Sequence, residues 1–129
     1  MIPVTGGTRM FLFRGRADMR RGFDGLSGMV EAHFTESLFS GALFIFVNHR
    51  RNRVKILYWD RDGWVIWYKR LEAGTFAFPF AETGRREIAA WELGVLLEGI
   101  DLSKGRRRKR YAPPAALTET RGEMEAPKQ

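Results

Sequence analysis

A chain of 129 residues that is 44% hydrophobic and carries ten Phe, four Trp and three Tyr has room for one domain with a real core and little room for two. That composition excludes a disordered chain, no apolar run approaches the roughly 20 residues a bilayer-spanning helix needs, and the absence of cysteine excludes disulfides, thiolate metal sites and a cysteine nucleophile. Lys and Arg outnumber Asp and Glu 22 to 15, and a net charge of +7 with a pI near 10.4 favours an anionic partner.

Residues 1–8, containing Pro3, Gly6 and Gly7, form a lead-in with no pattern of a regular element. They also lack the charged segment and long apolar run of a signal peptide, so a cytoplasmic location and no membrane association are expected. Met10 to Phe13 is a short strand candidate. From Asp18, the apolar positions Met19, Phe23, Leu26, Met29, Val30 and either His33 or Phe34 recur at intervals of three and four, which predicts an amphipathic helix with Asp18 as its cap. Gly22, Gly25 and Gly28 interrupt that pattern. Either the helix begins later than Asp18, or the glycines allow close packing against a sheet.

Between Gly41 and Gly74 lie three apolar runs, Leu43 to Val47, Val54 to Trp59 and Trp64 to Tyr68, bounded by turn-forming or charged residues. This is the pattern of successive antiparallel strands. Side chains alternate faces along a strand, so even-numbered connections put Leu43, Ile45, Val47, Val54, Ile56, Tyr58, Val65 and Trp67 on one face. The first helix is the expected cover for it. The other face carries Phe44, Phe46, Lys55, Leu57, Trp59, Trp64, Ile66, Tyr68 and Arg70, with the second helix as its expected cover. Thr75 to Phe80 suits an edge strand or loop because of Pro79. Residues 87–98 form that second helix candidate, with Leu93, Leu96, Leu97 and Ile100 at helical spacing and Gly99 as terminator.

From Ser103 the chain turns polar and charged, which predicts a disordered basic tail over 103–129. The domain is thus expected over 9–102 as an α+β fold, an antiparallel sheet of four or five strands packed by two helices. Positive charge concentrates in residues 41–72, with seven basic against three acidic residues, and in 101–129, with eight against four.

Basic side chains neutralise phosphates and aromatic rings stack on exposed bases, so nucleic-acid binding is the first candidate chemistry. The central region offers Arg50, Arg51, Arg53, Lys55, Lys69 and Arg70, and the tail offers Arg106, Arg107, Arg108, Lys109 and Arg110 together with Lys104. Trp59, Trp64 and Tyr68 are residue types that anchor protein interfaces, although core packing against the second helix is the better explanation of them. Asp18, Asp60 and Glu72 would have to converge to hold the divalent metals of a nuclease, yet turn chemistry and helix capping already account for Asp60, Asp62 and Asp18. His33 and His49 are isolated, no phosphate-loop or dinucleotide motif is present, and no cofactor is expected.

The run Asp18-Met19-Arg20, Gly22, Gly25-Leu26, Gly41-Ala42-Leu43-Phe44, Arg50-Arg51, Lys55, Leu57-Tyr58-Trp59-Asp60, Gly63 and Trp67-Tyr68-Lys69-Arg70-Leu71-Glu72 closely resembles TnpB, the small accessory protein of bacterial insertion sequences of the insertion sequence 66 family (not the RNA-guided nuclease of the same name). The resemblance covers about residues 8–102 and includes Leu96 to Asp101. It implies participation in DNA transposition, in an element whose transposase is a separate, larger protein; with the clustered charge, a non-enzymatic accessory factor that binds the ends of the element is expected. It assigns no catalytic residue. Asp18, Arg20, Lys55, Trp59, Asp60, Lys69 and Arg70 match its recurring motif, and His49 stands where another Arg is expected.

Overall fold

The computed structural model describes residues 4–13, 17–77, 87–98, 100–101, 106–107 and 113. Its centre is a three-stranded meander of β2 (Leu43–Val47), β3 (Arg53–Asp60) and β4 (Gly63–Arg70). β3 and β4 turn through Arg61 and Asp62, with Asp60 opposite Gly63 and Arg61 at φ 54°. β2 and β3 pair with Val47 opposite Val54, so six residues separate the last partners and the connection is even. The faces therefore sort as the alternation predicts.

A further strand, β1 (Met10–Leu12), lies beside β2 and runs parallel to it. Parallel neighbours need a crossover, and α1 (Phe23–His33) supplies it. On the far side of β1, β5 (Glu87–Ile88) pairs antiparallel, giving the order β4-β3-β2-β1-β5. The α+β class and the five-stranded, mostly antiparallel sheet thus hold, with one parallel pair, β1–β2, that the sequence pattern does not predict. α2 (Ala90–Glu98) follows β5 directly. A separate two-residue pairing joins β6 (Ile100–Asp101) to β7 (Arg106–Arg107).

β4, at the edge of the sheet, is half-buried to exposed, and from β1 to β3 the sheet is buried on both faces. On one, Met10, Leu12, Leu43, Ile45, Val47, Val54, Ile56 and Tyr58 pack with Phe76, Ile88 and the α2 residues Leu93 and Leu96. On the other, Phe11, Phe13, Phe44, Phe46 and Leu57 pack with Phe34 and the α1 residues Leu26 and Val30. The two helices have exchanged the faces expected of them. Alternation decides which residues share a face, whereas the side a helix takes depends on the chirality of the crossover it belongs to, and the parallel β1–β2 pair was not read from the sequence.

Local differences have equally local causes. α1 starts at Phe23, after Gly22, and no side chain caps it. Asp18 instead accepts from the backbone N–H and the guanidinium of Arg20. A Cβ at Gly28 would meet nothing within 4 Å, so close packing does not explain that glycine. Phe34 takes the buried place at the end of the stripe and His33 is exposed. α2 starts three residues later than its pattern suggested because Glu87 and Ile88 extend the sheet. Buried Glu92 reaches back to accept from the Ala89 N–H at 2.8 Å, a reciprocal cap of the helix start. Gly99, residues 78–86 and the tail positions Arg108, Lys109 and Arg110 lie outside the described residues. Arg106 and Arg107, expected in a structureless tail, are in β7.

Candidate nucleic-acid interface

The β2–β3 connection, Asn48-His49-Arg50-Arg51-Asn52, is fixed by its own first residue. Asn48 Oδ1 accepts from the N–H groups of Asn52 and Arg53, each at 3.0 Å, and Asn48 Nδ2 donates to Asn52 Oδ1 at 2.8 Å. Arg51 sits at φ 61°, the left-handed conformation such a tight turn requires. Two backbone bonds then tie the turn to the chain beyond β4: Leu71 N–H to Asn52 O at 2.8 Å, and Phe76 N–H to Arg51 O at 2.6 Å. His49, Arg50 and Arg51 are left exposed on a rigid turn.

Register brings two further cations to this end of the sheet. Arg53 lies directly opposite Arg70, on the α1 face. Arg70 is held by Glu72 at 2.8 Å, and Arg53 donates to Tyr68 Oη at 3.4 Å. Lys69 is exposed but pairs with Val54, which puts it on the α2 face. Among the described residues, Arg50 and Lys69 have no acidic partner within ion-pair distance.

Lys55 does not belong with this surface. It is only 8% exposed, and its ammonium donates to the carbonyl oxygens of Met19 and Arg21, each at 2.8 Å, beneath the turn that leads into α1. It also lies over the Tyr68 ring, 4.7 Å from the centroid. Its charge is used in holding that turn to the sheet. The sequence displays the charge but not the carbonyls that meet it.

The lead-in turn adds a cation absent from the sequence-based set. Arg20 grips Asp18 through Nε and Nη2 at 3.0 and 2.9 Å, which holds the Asp18 carboxyl down to a pKa of about 2. Asp18, Arg20, Asn48, His49, Arg50 and Arg53 together line an open pocket of about 370 Å³ between this turn and the β2–β3 connection. Arg20 could have been found from its place in the Asp18-Met19-Arg20 motif, but nothing in the local pattern joins residue 20 to residue 50.

At the opposite end of β3 and β4, the aromatic residues divide. Trp59 and Trp64 are directly paired, with ring centroids 5.1 Å apart, and Phe39 from the α1–β2 connection packs on both at 5.0 and 5.6 Å. The two Trp rings are half-buried under Phe39, which is itself 60% exposed. The ring that covers both is a loop residue without periodicity, while Trp64 also packs against the core on the α1 face. Tyr68 stands four residues from Trp64, about 13 Å along the strand, and so is not part of this cluster.

Asp60 and Glu72 are also kept apart. They lie at opposite ends of the β3–β4 ladder, about 20 Å from each other, and no three His, Asp or Glu side chains come together as a metal site among the described residues.

The model of the family described as IS66 Orf2 like protein matches residues 8–107, most of the chain. The chain belongs to that family. Membership makes it a transposition-associated accessory protein, and the match reaches past the sheet to include β7. Two Sinorhizobium fredii relatives, the uncharacterized proteins y4jC and y4hO, are 31% and 34% identical to it over 108 and 101 residues. These alignments cover 84% and 78% of this chain and 92% and 88% of the relatives. No solved structure matches the chain. Among the described residues, no helix is long and apolar enough to cross a membrane.

Proposed function

We propose that this IS66 Orf2 like protein acts in transposition by binding DNA through the cationic end of its sheet, with Arg50, Arg51, Arg53, Lys69 and Arg70 contacting backbone phosphates. The observation that carries this is the β2–β3 connection: a turn locked by Asn48 and by two backbone bonds, which holds the Arg50 and Arg51 side chains exposed at one end of the sheet. Rigid presentation lowers the entropy lost on binding. Arg106 and Arg107 and the basic positions that follow them extend the positive charge toward the C-terminus. Fluorescence-anisotropy titration of duplexes carrying the ends of the element, across a salt series, tests it. Five phosphate contacts give a slope of log K against log salt of about −4 to −5. No complex at low salt would sink the proposal.

A second reading rests on the Phe39–Trp59–Trp64 cluster, two half-buried Trp rings under an exposed Phe at the far end of β3 from the Arg turn. Such a cluster suits docking onto the transposase. Trp59→Ala should then abolish capture by the transposase while the thermal unfolding profile stays cooperative. Undiminished capture would count against docking there.

A further inference from the structure

We infer that the pocket between the lead-in turn of α1 and the β2–β3 connection seats a single phosphodiester group of a DNA strand, and that Asp18 limits how tightly it does so. This rests on the DNA-binding proposal and makes it specific.

Among the described residues, three arginines and a histidine, Arg20, Arg50, Arg53 and His49, come to the pocket from three different elements, and Asp18 is the one acid lining it. Both walls are built. On one side the lead-in turn is anchored by Lys55 bonding the Met19 and Arg21 carbonyls, and by the Ala17 N–H donating to Val47 O. On the other, Asn48 holds the Arg turn. Arginines lining one open concavity supply the charge and the multiple donors that match the tetrahedral, multiply accepting phosphate group. Arg20 uses one edge of its fork on Asp18 and retains donors on the other. Asp18 therefore orients Arg20 but places a negative charge beside the incoming phosphate.

The chemistry makes opposite demands on two neighbouring side chains. Asp18→Asn keeps an oxygen to accept from the Arg20 N–H, removes the negative charge and leaves the Arg20 charge uncompensated. At about 0.1 M salt it should tighten duplex binding about fivefold and steepen the salt slope by up to about one. Arg20→Gln should weaken binding about five- to tenfold and flatten the slope. Asp24→Asn makes the same change in net charge on the first turn of α1, outside the pocket, and should alter affinity less than about twofold.

All of these are read by anisotropy with the full chain, after thermal melts establish that each variant is folded. Replacing chloride by inorganic phosphate at equal ionic strength separates the two sources of phosphate. Equal weakening in both salts is expected of a seat that takes the strand, whereas displacement about tenfold stronger in phosphate would make the pocket a free-phosphate site and overturn the assignment. Binding by the unaltered chain with no gain in Asp18→Asn would overturn the seat alone. No binding by any form would remove it together with the proposed DNA interface.

Discussion

Replacing Phe44 by alanine is expected to cost about 3–5 kcal/mol of folding stability, the range for deleting a buried aromatic side chain. Phe44 is fully buried in the middle of β2. Its neighbours in register are Phe11 on β1 and Leu57 on β3, and its ring stacks on that of Phe11 at 5.7 Å and lies against that of Phe34 at 5.4 Å. With paired strands on both sides and α1 above, nothing can move in to fill the space. Domains of this size have only about 5–15 kcal/mol in total, so the variant should unfold at much lower urea. Phe39→Ala, at the exposed ring on the Trp pair, should cost less than about 1 kcal/mol. Comparable losses in the two variants would contradict the described packing of the α1 face.

Lys55→Met is expected to lower stability by about 2–4 kcal/mol, with any change in DNA binding coming through the turn that Lys55 anchors and not from a lost phosphate contact. Two hydrogen bonds from a charged donor are lost, each worth about 1.5–3 kcal/mol, together with the contact over Tyr68. Relief from burying an ammonium offsets part of that loss, and the Met19 and Arg21 carbonyls lose their donor. A phosphate-contacting lysine would behave in the opposite way, with unaltered stability and a slope reduced by about one. Urea unfolding and anisotropy on the same variant, below its unfolding midpoint, distinguish the two.

Lys55 also marks where the sequence stops being informative. Alternation along three strands sorted Leu43, Ile45 and Val47 from Phe44 and Phe46 correctly, because strand geometry is local and both connections in the meander are even. The helix stripe likewise located Leu26 and Val30. What alternation lacks is handedness, so α1 and α2 were given each other's faces. The three-residue β1 carries too little pattern to declare a parallel partner more than 30 positions away. At the site, the exposed turn at Arg50 and Arg51 was legible from its composition, since connections between strands lie at the surface. The pairing of Lys55 with backbone carbonyls, the proximity of Arg20 to Arg50 and the cover that Phe39 gives the Trp pair are tertiary facts. Each joins a residue of an irregular segment to a strand or a strand connection distant in sequence, and neither composition nor period records that.

Electrostatic binding to DNA responds to net charge wherever it lies, so the central claim is tested most directly by moving the same charge change from one end of the sheet to the other. Arg50 is on the β2–β3 turn, and Arg61 is on the β3–β4 turn at the far end of β3, its side chain 94% exposed. Arg50→Gln and Arg61→Gln each remove one positive charge. In anisotropy titrations of the element-end duplex, Arg50→Gln should weaken binding about five- to tenfold at 0.1 M salt and flatten the salt slope by about one, with Arg61→Gln within about twofold of the unaltered chain. Equal effects from the two substitutions would contradict a DNA interface at the Arg50 end of the sheet.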